Sequence, residues 1–161
     1  MTNTSANTSA PAPRARTGRF QGLANQIIRG LLATPGISAG IGARLVTIYA
    51  VGRKSGRVYT VPVAYTKHEG KLLIGTPFGW AKNLRTGEPV TIRLKGRKVQ
   101  AGVEAFTGED DVTRLYAVMC RDNKTFANFN QVRLGADGEP DAGDLRAAWD
   151  GGARAFLLSP R

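Results

Sequence analysis

The apolar positions of this chain follow one period before Pro35 and another after Arg44. From Arg19 to Ala33 the residues Phe20, Leu23, Ala24, Ile27, Ile28, Leu31 and Leu32 recur at three- and four-residue spacing. That spacing predicts an amphipathic helix over 19–33, ended by Thr34-Pro35-Gly36. Beyond Arg44 the pattern is that of strands. Leu45 to Val51 is β-branched and apolar, Val58 to Thr66 alternates through Val61, Val63 and Tyr65, and Leu72-Leu73-Ile74 follows a Glu69-Gly70 turn. Pro62 inside the second run marks an edge strand or a bulge, because proline has no N–H to give to a central ladder.

Val90 to Lys95 and Lys98 to Phe106 flank Gly96-Arg97, read as a tight hairpin turn, and Ala155-Phe156-Leu157-Leu158 reads as a last strand. Short helices are expected from Trp80 to Thr86, from Glu109 to Met119 with acids in the first turn, and around Phe126 and Phe129. Leu134 to Asp144 reads as a loop. The first eighteen residues are small, polar and Pro-containing, which predicts a disordered tail over 1–18 ahead of one domain over 19–161. Strands joined mostly by hairpins, without regular strand-helix-strand alternation, predict a mainly β fold: an antiparallel barrel, closed or nearly so, with peripheral helices.

Composition narrows the chemistry. The 161 residues include one Cys, Cys120, and one His, His68, so no intramolecular disulfide can form and a His/Cys zinc site lacks ligands. His68 falls in a turn, which leaves no base for a Ser-His-Asp arrangement. No stretch approaches the roughly 20 apolar residues of a membrane span. A reduced, cytoplasmic setting is expected, with the helix over 19–33 able to lie on the inner face of an anionic membrane as an alternative to packing on the domain.

Charge is unevenly spread. The net charge is +11, from 23 basic and 12 acidic residues, but residues 1–103 carry sixteen basic residues against only Glu69 and Glu88. So positive a region attracts an anionic partner.

Two segments carry candidate chemistry. Gly52-Arg53-Lys54-Ser55-Gly56 brings two cations and a hydroxyl onto one glycine-bounded turn, where hydrogen bonds to a charged group contribute about 1.5–3 kcal/mol each. The same residues also suit an ordinary exposed turn. Trp80 and Asn83, three apart on a predicted helix with Leu84 turned inward, offer an apolar wall and an amide to a planar heteroaromatic cofactor. Equally, Trp80 and Leu84 suit a core and Asn83 a cap.

Together, GRKSG, the following Pro62, the Trp80…Asn83-Leu84-Arg85 run and the paired strands after it resemble the deazaflavin-dependent nitroreductases. These are split-barrel relatives of the FMN-binding pyridoxamine-phosphate oxidases, and the resemblance spans about Arg44 to Phe106. It implies a six-stranded antiparallel split β-barrel that binds coenzyme F420. It also implies that Arg53, Lys54 and Ser55, with Gly56 and Arg57, hold the anionic tail of that cofactor. Pro62, Thr76, Trp80 and Asn83 would line the deazaflavin, and Tyr65 would face the substrate as the catalytic candidate. The implied reaction is hydride transfer to a quinone, nitroaromatic or activated alkene, with no metal.

Two other readings stay open. The same barrel and loop would accept the phosphate of FMN. A non-catalytic basic binder of anionic lipid or nucleic acid would use the charge alone, although no nucleic-acid partner is expected without a recognition motif or more aromatic platforms. A homodimer is a further expectation.

Overall fold

Seven strands form one sheet in the computed structural model, which describes residues 44–161; the predicted tail over 1–18 and helix over 19–33 lie outside the described residues. The strands are β1 Leu45–Val51, β2 Val58–Ala64, β3 Thr66–His68, β4 Lys71–Thr76, β5 Val90–Leu94, β6 Arg97–Phe106 and β7 Arg154–Pro160. Their order is β2-β1-β5-β6-β7-β4-β3, with every pairing antiparallel. The sheet curls so that β1 and β4, far apart in that order, share one core. Val46 and Ile48 of β1 pack with Leu72 and Ile74 of β4, Ile92 of β5, Val103 of β6, and Phe156 and Leu158 of β7. The result is a half-barrel with β2 and β3 at its two edges.

The expected count of six strands is corrected to seven, and the reason lies at Tyr65. The run Val58 to Thr66 does not continue as one strand. It pairs with β1 as far as Ala64, and from Thr66 it pairs with β4 at the opposite edge. One residue therefore links the two edges of the sheet, as strands do where they switch partners at a corner. The Tyr65 N–H donates to the Arg44 carbonyl at 2.9 Å, and its side chain is 4% exposed within the barrel core. Asp122 secures the same corner, accepting from Thr66 Oγ1 at 2.8 Å and from Arg44 Nη1 at 2.6 Å.

Pro62 lies on the edge strand β2, opposite Thr47, where proline is tolerated. The hairpin turns follow their chemistry: Glu69 and Gly70 have φ of 52° and 75°, Lys95 and Gly96 φ of 49° and 82°. Positive φ at both central residues is the type I′ arrangement, whose twist matches the flanking strands. The second turn is thus Lys95-Gly96, one residue earlier than expected, and Arg97 already belongs to β6.

Three helices complete the described fold: α1 Glu109–Asp122, α2 Lys124–Phe129 and α3 Ala142–Asp150. α1 turns Val112, Leu115, Tyr116, Met119 and Cys120 onto the outward side of β4 and β7, where Leu73, Ala155 and Leu157 meet them in a second core. Asn123 caps α2 by accepting from the N–H groups of Thr125 and Phe126. The expected loop over Leu134 to Asp144 ends early, because Asp141 accepts from the Asp144 N–H and opens α3. The expected helix from Trp80 to Thr86 is a short 3₁₀ turn, Gly79–Asn83, closed by extended backbone at Leu84.

Candidate functional site

The segment Gly52 to Gly56 is the connection between β1 and β2, and its two glycines are required for different reasons. A Cβ on Gly52 would lie 2.8 Å from Ser55 Oγ and 3.0 Å from the Tyr59 ring, whereas Gly56 adopts φ of +70°. Within the loop the Gly52 N–H donates to the Arg57 carbonyl at 2.7 Å, the Gly56 N–H to the Gly52 carbonyl at 2.9 Å, and the Arg57 N–H to Ser55 Oγ at 3.2 Å. Ser55 is thereby spent in part on shaping the turn.

Arg53 fastens this loop to the 3₁₀ turn. Its N–H donates to Asn83 Oδ1 at 3.3 Å, and its guanidinium donates to the Lys82 carbonyl at 2.7 Å. Asn83 Nδ2 in turn donates to the Trp80 carbonyl at 2.9 Å, three residues back, the spacing that eclipses in a 3₁₀ turn. Asn83 thus joins the two segments picked out in the sequence. By contrast, the exposed side chains of Lys54 and Arg57 make no hydrogen bond or ion pair among the described residues. They are the cations of the loop left to meet an anion.

A cavity of about 510 Å³ opens beside this joint, within the usual range for a small-molecule site. It is bounded by the end of β1, by Gly52, Arg53 and Gly56 of the loop, by Asn83 and Leu84, and by Glu88 to Thr91 at the start of β5. A cationic loop, an amide and an apolar floor at one opening fit a ligand with an anionic tail. Those donors agree with the phosphate-bearing F420 expected from the resemblance.

Of the residues the sequence singled out, Arg53, Gly56 and Asn83 line the cavity; Lys54, Ser55 and Arg57 stand on its loop. The others are elsewhere. Pro62 is exposed on the outward face of β2, and Trp80 is half-buried against the barrel core. Thr76 is 4% exposed, its Oγ1 accepting from the Phe78 N–H at 3.1 Å, so it shapes the entry to the 3₁₀ turn. Tyr65, the expected catalytic residue, is a core residue at the sheet corner and is not among those lining the cavity. Conversely, Tyr49, Glu88 and Thr91 line it without having been singled out. Tyr49 and Thr91 face each other across β1 and β5, and an outward-pointing strand position carries no mark of a cavity in sequence.

The groups with shifted protonation belong to the helix-covered core, not to this opening. Burial pushes the Cys120 thiol up to about 11, with nearby Arg121 opposing, so it is an unreactive thiol near neutrality. Burial and then Cys120 raise the Tyr116 phenol, Arg154 offsetting part of that effect, and its hydroxyl has no hydrogen-bond partner among the described residues.

Solved structures similar to this chain include an F420-H2 dependent reductase, with TM-score 0.44, 14% identity, and coverage of 71% of this chain and 93% of the other. A pyridoxamine 5'-phosphate oxidase-related, FMN-binding protein from Nostoc punctiforme PCC 73102 aligns with TM-score 0.47 and 12% identity, over 96% of this chain and 83% of the other. A third, described as a domain-swapped dimer, aligns with TM-score 0.47 and 14% identity, over 93% and 100%. No curated protein matches the chain. Residues 29–135, well over half of the sequence, match the family model for F420H(2)-dependent quinone reductase. The protein is therefore an F420-dependent reductase and belongs to the F420H(2)-dependent quinone reductase family.

Proposed function

We propose that this reductase anchors the anionic tail of F420 on Lys54 and Arg57, over the cavity framed by Arg53, Gly56 and Asn83, and reduces a quinone or a related electrophile such as a nitroaromatic or activated alkene. The observation that carries this reading is the joint itself: Arg53 and Asn83 hold the cationic loop against the 3₁₀ turn beside the cavity, leaving the Lys54 and Arg57 side chains on that loop unpaired among the described residues. When bound, reduced F420 supplies the hydride. The chain's own part is to bind, orient and screen. Lys54 and Arg57 supply positive charge, Ser55 keeps the turn closed, and Asn83 fixes the loop relative to the 3₁₀ turn through the Trp80 carbonyl. Tyr65 contributes from the core by holding the corner between β2 and β3.

Titration of the full chain with F420, followed by deazaflavin fluorescence, tests the assignment. Lys54→Ala is expected to weaken binding by one to two orders of magnitude, the loss of about 1.5–3 kcal/mol for a charge-assisted hydrogen bond. F420 binding equal in wild type and Lys54→Ala would remove the loop from the site. Tight FMN binding in place of F420 would favour the flavin alternative. A cytoplasmic setting, membrane contact through residues 19–33 and a homodimer remain proposals of the same reading; sedimentation velocity of the full chain decides the last.

A further inference from the structure

The cavity beside the cationic loop holds one group that an anionic tail leaves unexplained. Glu88 lines it, and Glu88 is its only acid. Residues 1–103 contain just one other acid, Glu69, against sixteen basic residues, so a carboxylate stands where an anion is to bind. Its backbone is held in place. The Glu88 N–H donates to the Arg85 carbonyl at 3.1 Å, and the Gly87 N–H donates to the Val103 carbonyl at 3.1 Å. Gly87 adopts φ of +86°, a value open to glycine, and Thr86 Oγ1 accepts from the Ala105 N–H at 2.9 Å. The turn that leads into β5 is thereby tied to β6.

Hydrogen bonding sets Glu88 apart from the other polar side chains that line the cavity. The Tyr49 hydroxyl accepts from Arg93 Nε at 3.1 Å, and Lys98 Nζ, opposite Arg93 in the register, lies 4.7 Å from the centre of the Tyr49 ring. Thr91 Oγ1 accepts from Gln100 Nε2 at 2.8 Å, and Arg53 and Asn83 are committed to the joint between the loop and the 3₁₀ turn. The Glu88 carboxylate makes no hydrogen bond among the described residues. Its ion pair with Arg85 Nη1 is 3.9 Å long, beyond hydrogen-bond reach and between two exposed side chains, a contact of little energetic weight.

We propose that Glu88 is a specificity-determining residue of the cofactor site, accepting hydrogen bonds from hydroxyl groups of the ribityl chain that joins the deazaflavin ring of F420 to its phosphate. An ionised carboxylate is an acceptor only, so the ligand group beside it must donate. A cationic donor is disfavoured, because Arg53 lines the same cavity and Lys54 and Arg57 stand on its loop. A hydroxyl is neutral and can sit close to a phosphate. Dinucleotide sites use the same division of labour, a glycine-rich turn for the phosphates and an acid for the sugar hydroxyl. Resting on the reading of Lys54 and Arg57 as tail anchors, this role adds the class of ligand: a phosphorylated polyol, not any anion of the right charge.

The test is fluorescence titration of the full chain with F420, followed by displacement of the bound F420 with ribitol 5-phosphate or with n-pentyl phosphate, which has the same charge and no chain hydroxyls. Wild type is expected to prefer ribitol phosphate about tenfold, and Glu88→Leu should weaken F420 binding about tenfold and erase that preference, as for loss of a hydrogen bond to a charged group. Glu88→Gln, whose amide oxygen still accepts, should fall between them, and circular dichroism checks that both variants are folded. Lys54→Ala should weaken the two phosphates alike. F420 bound by Glu88→Leu as tightly as by wild type overturns the proposal, and tighter binding also overturns it by marking Glu88 as a repulsive charge. Equal displacement of F420 from wild type by the two phosphates does the same. Those outcomes leave the Lys54 anchor standing, whereas absence of F420 binding by wild type, or equal binding by Lys54→Ala, overturns anchor and polyol role together.

Discussion

The two halves of the sheet solve the problem of their outward faces in opposite ways. On β4 and β7 the outward positions Leu73, Ala155 and Leu157 are apolar and lie beneath α1, so these strands are buried on both sides. On β1, β5 and β6 the corresponding positions are Thr47, Tyr49, Thr91, Arg93, Lys98 and Gln100, while Val46, Ile48 and Ile92 fill the barrel. The difference is written in periodicity: continuous burial across Ala155 to Leu158 against strict alternation along β1. A half with helices above it is committed to stability. The alternating half is left to present chemistry, and both the cationic loop and the Tyr49 face belong to it.

Substitutions at matched outward positions sharpen this contrast. Leu73→Ala should cost about 2–5 kcal/mol of stability by emptying a fully buried site, whereas Thr91→Ala should change stability by no more than about 0.5 kcal/mol. Comparable losses in urea melts of the two variants would erase the distinction. Gly75→Ala comes next. Its Cβ would stand 2.7 Å from Met119 Cε and 2.8 Å from the Tyr116 ring, so α1 must shift, at about 1–3 kcal/mol. An unchanged melting temperature would show that α1 does not press so closely on β4. Lys98→Thr should have the smallest effect. Relief of the opposed Arg93 charge offsets the lost contact with the Tyr49 ring, and a thermal melt should register a change below about 0.5 kcal/mol.

Much of the architecture was legible because it is local. Positive-φ turns announced themselves in Glu69-Gly70 and, one residue displaced, around Gly96. The acidic start of α1 did the same. α3 was hidden because Ala142 to Asp150 has few large apolar residues, Leu145 being its buried one, and its start rests on one Asp141 side-chain bond. In the site, GRKSG and the Trp80–Asn83 run stood out by composition. Their union did not, since Arg53 and Asn83 are thirty residues apart and meet through a single amide. Thr76 and Tyr65, expected at the ligand, shape a turn and a corner, placements that depend on residues far apart in the chain.

What the sequence determined alone is the class of fold and the chemistry on offer: alternating strands, glycine turns, a basic region and one histidine too isolated for metal or triad work. These follow from backbone sterics and side-chain period, which act over a few residues. What the tertiary structure decided is partnership. It sent one extended run to both edges of the sheet through Tyr65, spent Arg53 on the Lys82 carbonyl while sparing Lys54, and left Arg93 and Lys98 facing one another. Such pairings depend on which distant strands share a hydrogen-bond ladder, and no local propensity encodes that.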